Sequence, residues 1–300
     1  MSKLLICESA NDEYCDGPVE DELLALVSGP ETISFEALAR GDISWPLRYH
    51  VDPRRKQLLS WYSFSSSDSM LEVGGGCGAL TGFFCDKFAH VTSVELSPKR
   101  ARIIHERHKE RSNLAVIASD ILSFSSETTF DCISCIGVLE YAGKFSSTAA
   151  DPHVNFLSHL NSLLSRDGML ILAIENRFGL KYWSGAPEDH TGINFDSIQG
   201  YCAAGVQTFG KKELIGILNT SGFQSVFFYY PLPDYKFPEE IFSDYYLPSN
   251  KHHVRSDIFP FYRQGGVQLF DEKKTLSYII ENGNFDFFAN SFLVFCKKEV

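Results

Sequence analysis

From residue 70 onward, short apolar runs alternate with longer segments whose apolar residues recur every three or four positions. Residues 70–73, 91–96, 114–118, 130–136, 169–174, 223–230 and 290–296 read as seven strands, each bounded by polar or glycine-containing turns. Between them, residues 80–88, 98–111, 152–164 and 211–219 carry helical spacing. Ser97-Pro98 and Asp151-Pro152 are helix starts, and Ser221-Gly222 is a stop. Strands alternating with helices imply an α/β fold, a mainly parallel sheet with helices on both faces. The seventh strand follows a long return, as an antiparallel edge strand requires. Residues 1–66 read as a helical N-terminal extension, with helices over 19–27, from Ser34 to Arg40, and from Asp52-Pro53 onward. Residues 67–300 then form the main domain. Its two long connections, 176–210 and 231–289, are the candidates for lids or binding loops.

Composition narrows the class. The 300 residues are 44% hydrophobic and 22% charged, an ordinary soluble balance with enough chain for a large core. The net charge of −11 argues against a nucleic-acid partner, because phosphate contacts call for a basic face. No apolar stretch is long enough to span a membrane, and the start is too short in apolar residues for a secretory signal, so a cytoplasmic location is expected. The eight cysteines form no metal ladder. Cys132 and Cys135 lie three apart in an apolar strand, on opposite faces, and read as core thiols. His105 and His108 sit on a charged helix and read as solvated. No metal is expected.

The candidate chemistry begins at Glu72-Val73-Gly74-Gly75-Gly76-Cys77-Gly78, where a strand runs into glycines and a helix follows. Glycines there permit a tight turn and close approach of a ligand to the backbone. Gly74, Gly76 and Ala79 also fit the G-x-G-x-x-A dinucleotide fingerprint. Glu95, about 20 residues on, suits a ribose ligand in either reading. Two acids favour an amino-acid-bearing ligand. Glu72 can meet an ammonium, where a pyrophosphate would be repelled. Asp120 after the third strand can accept from an adenine amino group, with Ile121 packing on the ring.

This order of Glu72, the glycines, Glu95, Asp120 and then Ile136-Gly137-Val138-Leu139-Glu140-Tyr141 resembles the class I S-adenosylmethionine (SAM) dependent methyltransferases. The resemblance implies a Rossmann-like sheet and SAM as cofactor. It places Gly74, Gly75, Gly76, Cys77 and Gly78 around the methionine portion and Glu95 with Leu96 at the ribose. Asp120 and Ile121 go to adenine, and Ile136 and Gly137 to the same pocket. A narrower likeness covers Trp45-Pro46-Leu47-Arg48-Tyr49, the run from Glu175 to Gly192, and Phe242 to Pro248. These are similar to a bacterial subgroup often found beside glycosyltransferases for surface polysaccharides.

On the acceptor side, His190 is the candidate general base, with Asp189 beside it and Tyr141 as base or wall. Glu140, Glu175, Asn176 and Arg177 are candidate acceptor ligands, and Arg177 could instead pair with Glu140. His252, His253 and Arg255 lie in the second long connection as further cleft candidates. The expected function is methyl transfer to a hydroxyl or amine of a small molecule, sugar or glycan precursor. A catalytically silent SAM-binding subunit and an NAD-dependent enzyme are the alternatives. The aromatic-rich stretch from Phe227 to Tyr246 suits either a lid or a homodimer interface.

Overall fold

The computed structural model describes residues 1–12, 15–29, 34–35, 40–41, 43–145, 151–202, 205–249, 254 and 267–298. His252, His253, Arg255 and most of the expected helix from Ser34 to Arg40 lie outside them. The chain divides into two compact units. The first holds residues 1–135 and 163–169; the second holds 136–162 and 170–300.

In the first unit, β1 (Lys3–Ile6), β2 (Ser69–Val73), β3 (His90–Glu95), β4 (Leu114–Ala118) and β5 (Phe130–Ile136) lie in the order β1-β4-β3-β2-β5. Every pairing that the register fixes here is parallel. Strands β2, β4 and β5 are largely buried apolar runs, as strands inside a parallel sheet tend to be. Helices α3 (Thr81–Lys87) and α4 (Pro98–Arg107) follow β2 and β3. Ser97 caps α4, its Oγ accepting from the Arg100 N–H at 3.2 Å. Val73 pairs with Val94 and Glu95 with Ala118, so β2, β3 and β4 end level. Two backbone bonds continue past the strands, Gly74 N–H to the Val94 carbonyl and Ser119 N–H to the Glu95 carbonyl. Everything that follows these strands is therefore delivered to one edge, where open α/β sheets bind ligands.

The N-terminal region departs from the all-helical expectation. Helices α1 (Pro18–Ser28) and α2 (Trp45–Val51) and a 3-10 helix at Pro53–Leu58 are present, but β1 extends the sheet beyond β4. Leu23, Leu47 and Val51 form an apolar cluster with Cys77 and Ile103, which docks these helices beneath the glycine loop.

In the second unit, β6 (Leu164–Glu175), which enters it at Leu170, is followed in lateral order by β9 (Ser291–Lys298), β7 (Phe223–Leu232) and β8 (Glu240–Ser243). β7 is antiparallel to both β9 and β8. The mixed sheet with its antiparallel last strand is the Rossmann-like methyltransferase arrangement. The strand count among the described residues is nine where seven were expected. The two extra strands, β1 and β8, are four residues each, too short to show alternation. β6 also starts earlier than expected, running through Asp167-Gly168 instead of turning there. Helices α5 (Ala142–Phe145), α6 (Pro152–Leu163), α7 (Leu180–Trp183), α8 (Asp196–Gln199), α9 (Lys211–Thr220), α10 (Glu272–Glu281) and α11 (Phe285–Phe288) complete this unit. Among the described residues no helix is long and apolar enough to cross a membrane.

Candidate functional site

At the strand-end edge of the first unit, the glycine loop and two acids form one hydrogen-bonded assembly. Glu95 is buried. Its Oε2 accepts from the Gly76 N–H at 2.8 Å and its Oε1 from the Ser97 N–H at 3.1 Å. Burial raises its pKa, opposed by Arg100 and by these two amides. Glu72 points beneath the loop, its Oε2 accepting from Thr81 Oγ1 and Ser93 Oγ, both at 2.7 Å. Burial outweighs those donors and pushes the Glu72 carboxyl up to about 7.

The glycines differ in what requires them. A Cβ on Gly75 would come within 2.4 Å of Ser93 Oγ and 3.1 Å of Glu72 Oε2, so this position needs the space. Gly76 has φ +56° and, among the described residues, nothing within 4 Å of a would-be Cβ, so these leave open volume above its backbone. Asp120 stands at the end of β4. Its Oδ1 accepts from the Leu122 N–H at 3.0 Å and so starts a 3-10 turn that buries Ile121.

Sequence reasoning missed what holds this assembly. Arg107 Nη1 donates to the carbonyls of Cys77 at 2.9 Å and His50 at 2.8 Å. His108 Nε2 lies 2.9 Å from the Gly78 carbonyl. Burial, and then the charge of Arg107, push His108 down to about 4, so the ring is neutral and Nε2–H donates. The reading of His108 as solvated is thereby corrected: at the end of α4 the ring turns under the loop, whatever the charge of its neighbours. The Cys77 side chain packs into the cluster of Leu23, Leu47, Val51 and Ile103, leaving its backbone to the loop. Cys132 and Cys135 are buried thiols outside any disulfide, as expected. The segment after β1 crosses the same edge. Asn11 N–H donates to the Leu96 carbonyl at 3.0 Å, Ser9 Oγ meets Ser119 Oγ at 2.9 Å, and Ser97 Oγ donates to Asp12.

In the second unit, His190, Glu140 and Glu175 converge. His190 Nε2 lies 3.6 Å from Glu140 Oε1 and 4.0 Å from Glu175 Oε2. His190 Nδ1 is 2.9 Å from Glu188 Oε1. Burial would lower the imidazolium, but Glu140, Glu188 and Glu175 together hold it well above its usual range. Burial raises the Glu140 carboxyl. Tyr141 packs edge-on against the His190 ring, with centroids 5.4 Å apart, as a wall does. Gly137 lies in this unit, where a Cβ would meet Tyr235 Oη at 2.8 Å, and Ile136 is buried.

Three candidates are placed elsewhere than expected. Asp189 does not hold His190. Its Oδ2 accepts from Lys181 Nζ at 2.5 Å and Lys236 Nζ at 3.2 Å, and these ammonium groups keep its carboxyl low against the effect of burial. Glu188, one residue earlier, takes the orienting position, because the turn carries alternate side chains to opposite sides. Asn176 spends its amide on the backbone, donating to the carbonyls of Phe287 and Ala289 at 2.7 Å each and accepting from the Phe178 N–H at 3.0 Å. Arg177 pairs with Glu213 at 2.7 Å and donates to the Ser197 carbonyl at 3.1 Å, so the suggested pair with Glu140 is not the one formed. Lys236, which also pairs with Glu175, carried no sequence signal.

Residues 71–170 match the family model of a methyltransferase domain. Among curated proteins, the "Probable ribosomal RNA small subunit methyltransferase A" of Methanosarcina acetivorans is 31% identical, over 29% of this chain and 40% of its own length. The ribosomal RNA small subunit methyltransferase A of Mycolicibacterium vanbaalenii is 39% identical, over 23% of this chain and 24% of its own length. The chain thus spans less than half the length of these relatives. Among solved structures, the phosphoethanolamine N-methyltransferase 1 of Haemonchus contortus has a TM-score of 0.50 at 12% identity, covering 96% of this chain and 50% of that one. A chain from the complex of the Haloferax volcanii Trm112 methyltransferase activator with a methyltransferase has a TM-score of 0.50 at 13% identity, covering 90% of this chain and 100% of that one. These two likenesses are of fold.

Proposed function

We propose that this protein binds SAM and transfers its methyl group to a hydroxyl or amine of a small molecule, sugar or glycan precursor. The observation that carries the reading is Glu95, a buried carboxylate bonded to the Gly76 amide at the mouth of the glycine loop. The residues fit the cofactor. Open volume lies over Gly76, an acid stands at the end of β3 for the ribose hydroxyls, and Asp120 and Ile121 stand at the end of β4 for adenine. Glu72 supplies a carboxyl of tunable charge for an ammonium. When bound, SAM supplies an electrophilic sulfonium methyl.

The chain's own work is to position and to accept a proton. In-line displacement gains most of its rate from holding the acceptor about 3–3.5 Å from the methyl carbon. The cluster of His190, Glu140, Glu175 and Glu188 is assigned to the acceptor's proton, with a carboxylate as the group that takes it, since these acids hold the imidazole in its charged form. A polysaccharide setting rests only on the subgroup likeness of Trp45 to Tyr49, Glu175 to Gly192 and Phe242 to Pro248. The acidic total of −11 weighs against RNA as acceptor. Calorimetric titration with SAM, S-adenosylhomocysteine and NAD tests the cofactor: binding of the first two without the third supports the reading, and NAD binding without SAM ends it. Transfer of labelled methyl from SAM to fractionated metabolites and glycans then identifies the acceptor.

A further inference from the structure

We propose that Glu140, Glu175 and His190 form a binding site for one divalent transition-metal ion, of the Mn²⁺ or Zn²⁺ class. One donor atom from each residue lies within 4.8 Å of the other two. Bonds of about 2.0–2.2 Å place three donors on one ion about 3.0–3.8 Å apart, so the widest pair has to close by about 1 Å, within reach of small side-chain rotations.

The second observation is the state of the carboxyl oxygens. Glu140 Oε2 and Glu175 Oε2 are fully buried and have no hydrogen-bond partner among the described residues. Both side chains are about as buried as a side chain can be, at 1% and 0% exposure. An orphaned carboxylate oxygen is among the costlier things to bury. Glu175 Oε2 stands 4.0 Å from His190 Nε2 and Glu140 presents its other oxygen at 3.6 Å, an arrangement that a metal ion taking the place of the Nε2 proton would satisfy.

The imidazole is set up as a ligand. Nδ1 lies against Glu188 Oε1 at 2.9 Å, which leaves Nε2 to face the two orphaned carboxyls. A carboxylate on the far nitrogen is the usual way in which a metal-binding histidine is oriented. Lysines do not fill the gap. Lys236 Nζ pairs with Glu175 Oε1, Asp189 and Asp234, and Lys181 Nζ with Asp189. Two carboxylates with one imidazole favour a first-row transition metal over Mg²⁺ or Ca²⁺, which take all-oxygen shells. An ion there would acidify a hydroxyl bound to it, the same service the cluster renders to the acceptor's proton.

The inference does not rest on methyl transfer, and its test does not read activity. The full chain, stripped with a chelator, is titrated with Mn²⁺ and followed by electron paramagnetic resonance of the free ion. Co²⁺ is titrated in parallel and followed by visible absorption. One saturable site per chain is expected. Glu140→Gln and His190→Gln should each weaken it at least tenfold, and His190→Gln should also change the Co²⁺ spectrum through loss of its nitrogen ligand. Glu188→Gln removes no ligand and should weaken binding about tenfold. Circular dichroism and SAM affinity on the same samples show that the variants fold, and SAM affinity reports separately on the first unit. Absence of saturable binding in the wild-type chain, or binding unchanged in folded Glu140→Gln and His190→Gln, overturns the proposal.

Discussion

The Gly76 N–H donates to Glu95 Oε2 at 2.8 Å, which joins the turn after β2 to the carboxyl at the end of β3. Neither can move without the other. Replacing Glu95 by Ala removes the brace on the loop and the carboxyl proposed for the ribose. SAM affinity should fall about 30-fold or more, the scale of one or two charge-assisted hydrogen bonds. Calorimetry on a variant with native circular dichroism checks this, and wild-type affinity would remove Glu95 from the cofactor site.

The Glu72 carboxyl gives cofactor binding a pH dependence. Its pKa is pushed up to about 7 in the folded chain, so it is mostly ionised at pH 8 and mostly protonated at pH 6. The ionised form is the one that meets an ammonium. SAM should therefore bind about tenfold more weakly at pH 6 than at pH 8. Glu72→Gln should flatten that profile, and a wild-type profile that is already flat contradicts the role.

His190 and Glu188 should separate turnover from cofactor binding. His190→Ala is expected to lower turnover by about 10² or more while SAM affinity stays within about twofold. Glu188→Gln, which loosens the ring without removing it, should lower turnover less. Initial rates with labelled SAM measure both once an acceptor is known.

His108 makes the first unit acid-sensitive. Its folded pKa of about 4 is depressed, so its contribution is intact above the ordinary histidine value near 6.5 and is lost as pH falls from there through 4. The protonation penalty reaches roughly 2–4 kcal/mol at the acid end. Urea unfolding between pH 7 and 4.5 should show this loss, with a smaller slope in His108→Gln.

Asn176 is expected to be structural. Asn176→Leu leaves the carbonyls of Phe287 and Ala289 and the Phe178 amide without their partner. The cost should be about 2–4 kcal/mol, with Tm lower by roughly 5–15 °C and SAM affinity little changed.

Much of this was legible in advance because it is periodic or local. All seven expected strands are present, since runs such as Leu114–Ala118 are apolar on both faces and bounded by turns. The placement of Glu72 and Glu95 around the glycine turn was legible because each stands at the end of a strand that flanks it. The misses are non-local. β1 is a largely exposed edge strand whose partner, β4, lies more than a hundred residues away, so no local pattern announces it. His108 was hidden by its charged neighbours. Lys236 sits in a long connection with no periodicity, and adjacency in the chain could not say which of Glu188 and Asp189 turns toward His190. A turn's side-chain directions are set by its backbone angles, which residue names alone do not determine.

The support beneath the glycine loop has an evolutionary consequence. Cys77 and Gly78 rest on Arg107 and His108, and the other end of that helix is tied through Arg100 to Glu20 and Asp16. Substitutions at Glu20 or Asp16, which touch no cofactor position, should surface as changes in cofactor affinity. Drift in the N-terminal helices is therefore constrained by the ligand, and compensating pairs are to be sought between those helices and α4 rather than around the pocket rim.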